Sequence, residues 1–310
     1  MESSLVSKIK AINLKKSIIH SIFVALYNVV IPWTIAVITC NLLALSNLFY
    51  AIFPFVSFYI GTRFRAINNM SHECIHLSFC KSKKANELFG EIFAILEFSK
   101  FKSIRKEHLT HHKYLGDIDR DLDFNGLRKY GFHKRLTRLR VMKHFRETLF
   151  LKQIKDTFFF ITYDKDSPFW ANNLRLLYLI TLCFLLFTYP LWFLLLFIIP
   201  YCYFYQVQKH LTDVLDHGGL LNNSEPVQKF RNFIIKNPIM SALLMPRFDG
   251  YHLVHHLLPW LSVEKHHEAH KILLENEEYF KREHQAINHL KAGNNELHHR
   301  ILQPAQTSSI

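Results

Sequence analysis

The sequence predicts an all-α membrane protein, with four transmembrane helices in two hairpins and a cytoplasmic helical cap carrying three histidine boxes. Three observations point there. Two long stretches contain no Asp, Glu, Lys or Arg: Ser17 through Thr62 and Leu176 through Gln208. Hydrophobic residues make up 49% of the 310, and 28 are Phe, which is heavy for a soluble enzyme. Outside those stretches a histidine pattern recurs: His72-Glu73-Cys74-Ile75-His76, His108-Leu109-Thr110-His111-His112 and His252-Leu253-Val254-His255-His256. On a helix, positions i, i+3 and i+4 share one face, so each box presents its imidazoles as a single stripe.

Residues 1–17 read as a short basic amphipathic lead-in. A spanning helix needs about 20 apolar residues at about 1.5 Å rise each. The first charge-free run therefore holds two spans, about residues 18–40 and 42–60, with Pro32 and Pro54 as kinks that membrane helices tolerate. The second of these helices is expected to continue past Arg63 and carry the first box. Leu88 to Phe101 is apolar but broken by Glu91 and Glu97, the pattern of a helix lying in the interface. The second box follows on a helix opening near Ser103. The run from Asp117 to Asp123 reads as a solvated loop, or as the source of an aspartate that orients a ligand imidazole. Thr157 to Tyr163 forms an aromatic patch, interfacial or buried.

The second charge-free run fits two short spans, about residues 172–188 and 191–207, broken at Tyr189-Pro190. Gln208 to His217 has helical character and meets a stop signal at Gly218-Gly219. The third box lies between Asp249-Gly250 and Pro259, so its helix is short. Residues 262–302 read as a charged amphipathic helical tail, with His266, His267 and His270 on a solvated face and a disordered end. This divides the chain into a basic N-terminal segment (1–17), a membrane domain (18–275, cytoplasmic over 63–171 and 208–275) and a tail (276–310).

Lys8, Lys10, Lys15 and Lys16 precede the first run and Arg63 and Arg65 follow it; Arg175 and Lys209 flank the second. Cations at the outer ends and none at the middle turns place both termini and all three boxes on the cytoplasmic side. The net charge of +13 fits a face meeting anionic headgroups rather than nucleic acid. Five scattered cysteines give neither a disulfide framework nor a zinc ribbon. The N-terminus does not read as a cleavable signal.

Eight box histidines exceed what one ion uses and suit two. Imidazole binds iron, zinc and copper, so ligand type alone does not choose the metal. Divided between two ions, neutral imidazoles leave positions open, which suits a redox metal that must meet oxygen. A competing reading takes His72-Glu73-Cys74-Ile75-His76 as HExxH, with Glu73 the general base of a zinc protease. It leaves the other two boxes without a role.

The order HxxxH, HxxHH, HxxHH, with hydrophobic hairpins before the first box and between the second and third, resembles the integral-membrane fatty acid desaturase family. Related hydroxylases and ketolases share it. His255-His256-Leu257-Leu258-Pro259 resembles that family's ending of the third box, and Asp216-His217-Gly218-Gly219 its Glu-His-Gly-Gly segment. The resemblance implies metal ligands at His72, His76, His108, His111, His112, His252, His255 and His256, with His217 as a ninth. It also implies two Fe(2+) per chain, O2 as co-substrate, and an acyl-lipid, acyl-CoA or acyl-carrier substrate in the bilayer. A separate electron donor of ferredoxin or cytochrome b5 type completes the set, because the haem segment of a fused cytochrome b5 is not found. Four residues before His217, where acyl-CoA desaturases carry Asn, this chain has Asp213. Glu73, Asp121, Asp123, Asp213 and Asp216 are candidates to orient ligand imidazoles.

Overall fold

The computed structural model describes residues 3–280 apart from 14–15, 47–49, 118, 135–137, 151, 153–162 and 222–228. Among the described residues every regular element is helical. In chain order they are α1 (Ser3–Ile12), α2 (Ile18–Leu45), α3 (Phe53–Ile75), α4 (Lys83–Leu96), α5 (Phe101–Tyr114), α6 (Leu122–Lys129), α7 (Arg138–Leu149), α8 (Phe169–Thr188), α9 (Pro190–Phe193), α10 (Gln206–His217), α11 (Pro238–Leu244), α12 (His252–Leu257) and α13 (His266–Leu273). Two π-helical turns, Leu194–Ile198 and Pro200–Tyr205, connect α9 to α10. The chain falls into two compact units. One comprises Lys16–Arg105 with Glu147–His210, the other Met1–Lys15, Lys106–Arg146 and Leu211–Ile310.

The first of these is built around α3, which is buried along most of its length. Its core joins Ile60, Phe64, Ile67 and Met70 of α3 to Phe93 of α4 and to Phe197 and Tyr201 of the π-helical segment. Close approach is possible because residue 61 is Gly: a Cβ there would stand 2.5 Å from the Phe204 Cβ and 3.0 Å from the Pro200 carbonyl oxygen. Helix α2 is capped by Ser17, whose hydroxyl accepts the His20 amide. Four of its polar side chains donate within the helix, Asn28, Thr34, Thr39 and Asn41 each to a carbonyl one turn back, and Ser21 donates to the Phe79 carbonyl. That is the arrangement a lipid environment demands, where water cannot serve those groups. Phe23 on α2 and Phe187 on α8 stand 67% and 84% exposed, apolar faces suited to acyl chains.

Among the described residues, three helices are long and apolar enough to cross a membrane: Ile18–Leu42, Phe169–Thr188 and Pro190–His217. The expected second span, 42–60, is not among them. Helix α2 continues to Leu45, and α3 opens only at Phe53, with Pro54 in its first turn. From Phe53 to Thr62 there is about 15 Å of helix before Arg63, half of a hydrocarbon core of about 30 Å. The Leu88–Phe101 segment is also not one helix, since α4 ends at Leu96 and Phe98 takes a left-handed φ of 56°. Glu97, which caps it, is buried. It accepts from the Asn68 amide at 2.5 Å and the Tyr205 hydroxyl at 3.2 Å, and burial pushes it up to about 7.

In the other unit, Leu5 and Ile9 of α1 are buried, and α1 packs against α13. Its core includes Ile9, Phe132, Val214, Leu253, Leu261 and Leu273. The expected continuous tail from 262 is interrupted: α13 ends at Leu273, and residues 281–310 lie outside the described residues, as do 157–162 of the aromatic patch. His266 and His270 are buried, not solvated, because α13 turns that face inward with Ala269 and Leu273; His267 alone of the three is exposed.

Gly61→Ala should destabilise the first unit by about 1–3 kcal/mol, since backbone must move to admit the methyl group. Thermal melting of the detergent-solubilised variant checks this; an unchanged midpoint contradicts the close packing at Gly61.

Candidate metal centre

The second box occupies the last turns of α5, the third box all of α12, and His217 the end of α10, where Gly218-Gly219 stops the helix and Gly219 adopts φ 77°. In the unit that holds them, ligand nitrogens of His108, His112 and His255 lie within 4.8 Å of one another, and so do those of His111, His217 and His256. His112 Nε2 stands 3.0 Å from His255 Nε2. His217 Nε2 stands 3.3 Å from His111 Nε2 and 2.8 Å from His252 Nε2, which is 3.0 Å from His256 Nε2.

The outer nitrogens decide what these short distances mean. His111 Nδ1 faces both oxygens of Asp121, at 3.3 and 3.2 Å. His252 Nδ1 faces Asp216 at 3.3 Å, and His217 Nδ1 the Lys229 carbonyl at 3.2 Å. A carbonyl and two carboxylates can only accept, so in all three rings Nδ1 carries the hydrogen. In the neutral rings Nε2 then holds a lone pair, and three lone pairs converge. One proton could relieve one pair but not all three. A cation relieves all. Two nitrogens each about 2.1 Å from one ion stand about 3.0 to 3.4 Å apart between square and tetrahedral angles, close to the spacing observed.

Protonation fits the same picture. Burial, followed by the positive partial fields of His252, His112, His111 and His217, holds His256 well below its ordinary value and therefore neutral. Burial also pulls His111 down, but its hydrogen bond to Asp121 and the fields of Asp123, Asp121 and Asp213 outweigh this and raise it. These carboxylates favour positive charge at this place, whether it is borne by a proton or by a metal.

Of the expected orienting carboxylates, Asp121 and Asp216 are buried and sit on the His111 and His252 imidazoles. Asp123 is half exposed and 3.9 Å from His108 Nδ1, and Asp213 acts on His111 through its field. The reading of 117–123 as a solvated loop holds for its exposed positions but not for Asp121, which also accepts the Gly116 amide. In the other unit, His72 and His76 close α3 with rings 5.1 Å apart, and burial and then Arg105 pull His76 down to about 4. Glu73 between them is 1% exposed and paired with Lys16 at 3.3 Å. A protease base must be free to take a proton from water; this one faces a buried ammonium.

One segment escaped sequence reasoning. Lys229 to Phe233 runs along the centre. Lys229 binds His217 through its carbonyl, Phe230 stacks on His256 at 4.2 Å, and the Arg231 amide donates to the Asp216 carbonyl. Arg231 also donates from its guanidinium to the Gly218 carbonyl. The Phe233 amide donates to the Gly250 carbonyl at 2.8 Å, and a Cβ on Gly250 would meet the Phe233 oxygen at 2.4 Å. Nothing in the sequence pattern marks these five residues, because most of their contacts run through backbone atoms and one ring face.

The chain matches the fatty acid desaturase family over residues 45–288. It is 25% identical to dihydrorhizobitoxine desaturase of Bradyrhizobium elkanii over 269 residues, 79% of this chain and 74% of that protein. Shorter stretches are 38% identical to the sn-1 acyl-lipid omega-3 desaturase (ferredoxin) of Nostoc sp., covering 24% of this chain and 20% of that one. Another is 30% identical to the sn-1 oleoyl-lipid 12-desaturase of Anabaena variabilis, covering 32% and 30%. The chain thus spans less than a third of the length of these last two relatives.

Asp121→Asn keeps the shape but gives His111 Nδ1 an amide in place of a carboxylate. Metal affinity should fall about 10- to 100-fold, read as faster loss to a chelator, while Asp119→Asn leaves it unchanged. Equal retention in both variants contradicts the role given to Asp121.

Proposed function

Because this chain belongs to the fatty acid desaturase family, we propose that it is a membrane di-iron acyl desaturase, using O2 and external electrons to place a double bond in an acyl chain. The convergence of Nε2 lone pairs, with every Nδ1 partner an acceptor, is the observation that carries this reading. The donor set fits iron: neutral imidazoles only, tautomers fixed from outside, and more of them than one closed zinc site takes. His111, His217, His252 and His256 hold one ion. His108, His112 and His255 would hold the other, and the family resemblance adds His72 and His76 of the first box as further ligands.

Bound iron supplies the oxidising power needed to take hydrogen from unactivated carbon, which no side-chain acid or base provides. The residues of this chain do the rest. Asp121, Asp216 and the Lys229 carbonyl keep the hydrogens on Nδ1 and so hold each Nε2 available. Phe230 covers one face of His256 and keeps water from it. Lys16 neutralises Glu73, so the first box contributes imidazoles without an adjacent free carboxylate.

The substrate is an acyl chain carried on a lipid, CoA or a carrier protein. It enters from the bilayer that α2, α8 and the Pro190–His217 helix cross, with the apolar first half of α3 returning the chain to the side from which α2 starts, four passages in two hairpins. The sn-1 acyl-lipid relatives support the lipid form. The flanking cations support a topology with both termini and the metal centre on the cytoplasmic side. An acidic donor of the ferredoxin or cytochrome b5 type docks on the basic cytoplasmic surface, so donor-supported turnover should fall as ionic strength rises. Turnover indifferent to salt would remove that partner class.

Elemental analysis of the purified protein should find about two irons per chain, falling by about one in His111→Ala and in His108→Ala. The product should be lighter than the substrate by two hydrogens; a gain of one oxygen would instead make the enzyme a hydroxylase. A single zinc, kept in both variants and lost in His72→Ala, would overturn the di-iron reading.

A further inference from the structure

Helix α12 carries all three imidazoles of the third box, yet it is six residues long. A helix that short does not hold itself in water; its conformation must be imposed by what surrounds its ends. Its own N-cap position, Tyr251, makes no side-chain cap bond. The first-turn amides of Leu253 and Val254 point instead at the side-chain oxygen of Asn232, at 2.8 and 3.3 Å, so the cap comes from the Lys229–Phe233 segment.

The orientation of that amide is fixed. Turned over, its NH2 would face two backbone N–H groups, donor against donor. With the oxygen toward α12, Nδ2 donates to the Tyr279 hydroxyl at 3.0 Å. The hydroxyl, having accepted from Asn232, gives its own hydrogen to His270 Nδ1 at 2.8 Å. That requires His270 to be neutral with its hydrogen on Nε2, and burial, reinforced by His267, pulls it down to about 4. Asn232, Tyr279 and His270 are all buried, so none of these bonds competes freely with water. The result is a one-way chain: α13 to Tyr279 to Asn232 to the first turn of the third box.

We infer that Asn232 is a positioning residue for the third-box imidazoles, with Tyr279 and His270 as its anchor. This deepens the di-iron reading and rests on it. Asn232 touches neither metal nor substrate. It sets the direction in which His252, His255 and His256 leave α12, and an imidazole swung by a fraction of an ångström holds an ion less well.

Three variants test it in the full-length protein. Asn232→Leu removes both acceptor and donor at similar volume. Asn232→Asp keeps the acceptor for Leu253 and Val254. Tyr279→Phe removes the anchor alone. In Asn232→Leu, iron retention against a chelator should weaken about tenfold and the Mössbauer spectrum of the bound iron should change. Its kcat should fall with the acyl-substrate KM unmoved, and the backbone amides of the peptide holding Leu253 and Val254 should exchange faster. Asn232→Asp should rescue retention and exchange, and Tyr279→Phe should fall between. A merely structural loss would lower the yield of folded protein without altering the spectrum of what remains, or without rescue by Asp. Wild-type retention, spectrum and exchange in Asn232→Leu would overturn the inference. Should that variant not fold, the other two decide: Asp tight and Phe weakened supports it, and any other order overturns it. Wild-type protein with no iron would sink the di-iron reading instead, leaving the cap to be judged by amide exchange alone.

Discussion

Lone pairs brought together with nothing between them repel, and the unit that carries the second and third boxes is organised around that constraint. Its rings are not simply near one another. Each of three has its outer nitrogen tied to a group that can only accept, Asp121, Asp216 or the Lys229 carbonyl, and that choice of partners turns Nε2 inward as a base. A histidine cluster without such partners could settle into a chain of ordinary donor–acceptor bonds, each ring giving a hydrogen to the next. Here that solution is closed off at His111, His217 and His252, and a cation is the economical way to satisfy the centre.

The first unit, built around α3, solves a different problem, that of polar groups among apolar helices. Asn68 and Tyr205 both donate to the Glu97 carboxylate, and the Tyr201 hydroxyl donates to the Glu97 carbonyl at 2.7 Å. A single buried acid thus ties α3, the end of α4 and the π-helical segment together. The Lys16–Glu73 pair does similar work, joining the residue before the α2 cap to the last turn of α3, and the Lys16 carbonyl also accepts the Lys81 amide. Buried pairs of this kind add little net stability, because desolvation offsets the attraction, but breaking one leaves a charge stranded. Their use is to fix one register of helices over its neighbours.

What the sequence made legible was periodic. Histidines at i, i+3 and i+4 predicted one-faced stripes, and α5 and α12 present them so. The charge-free runs marked apolar helices, and Gly218-Gly219 marked the end of α10. What stayed hidden depends on partners far away in the chain. The end of α2 at Leu45, rather than near Cys40, has no charge to mark it, because the charge-free run continues from α2 into α3 and only Ser46-Asn47 and Pro54 hint at the break. His266 and His270 have a spacing that matches a solvated face as well as a buried one, so their burial cannot be read from the sequence. Asp121 stood in a run of alternating aspartates that is indistinguishable from a loop until Gly116 and His111 are seen beside it. Asn232 had no pattern at all.

The distribution of charge ties these points to function. The chain is strongly basic as a whole, yet around the second and third boxes the acids gather: Asp121 and Asp216 are buried and Asp123 is half buried, with the field of Asp213 added. All-imidazole ligation brings no negative charge of its own, so two doubly charged ions would meet an uncompensated surplus in a buried, water-poor place. Carboxylates one bond behind the imidazoles would offset that surplus without entering the coordination sphere, where they would occupy the positions that the proposed chemistry reserves for oxygen. The same acids in direct contact with metal would tighten binding and close the site. Set behind the rings, they would stabilise the proposed ions and leave the centre open, while the basic exterior would stay free for the proposed acidic partner.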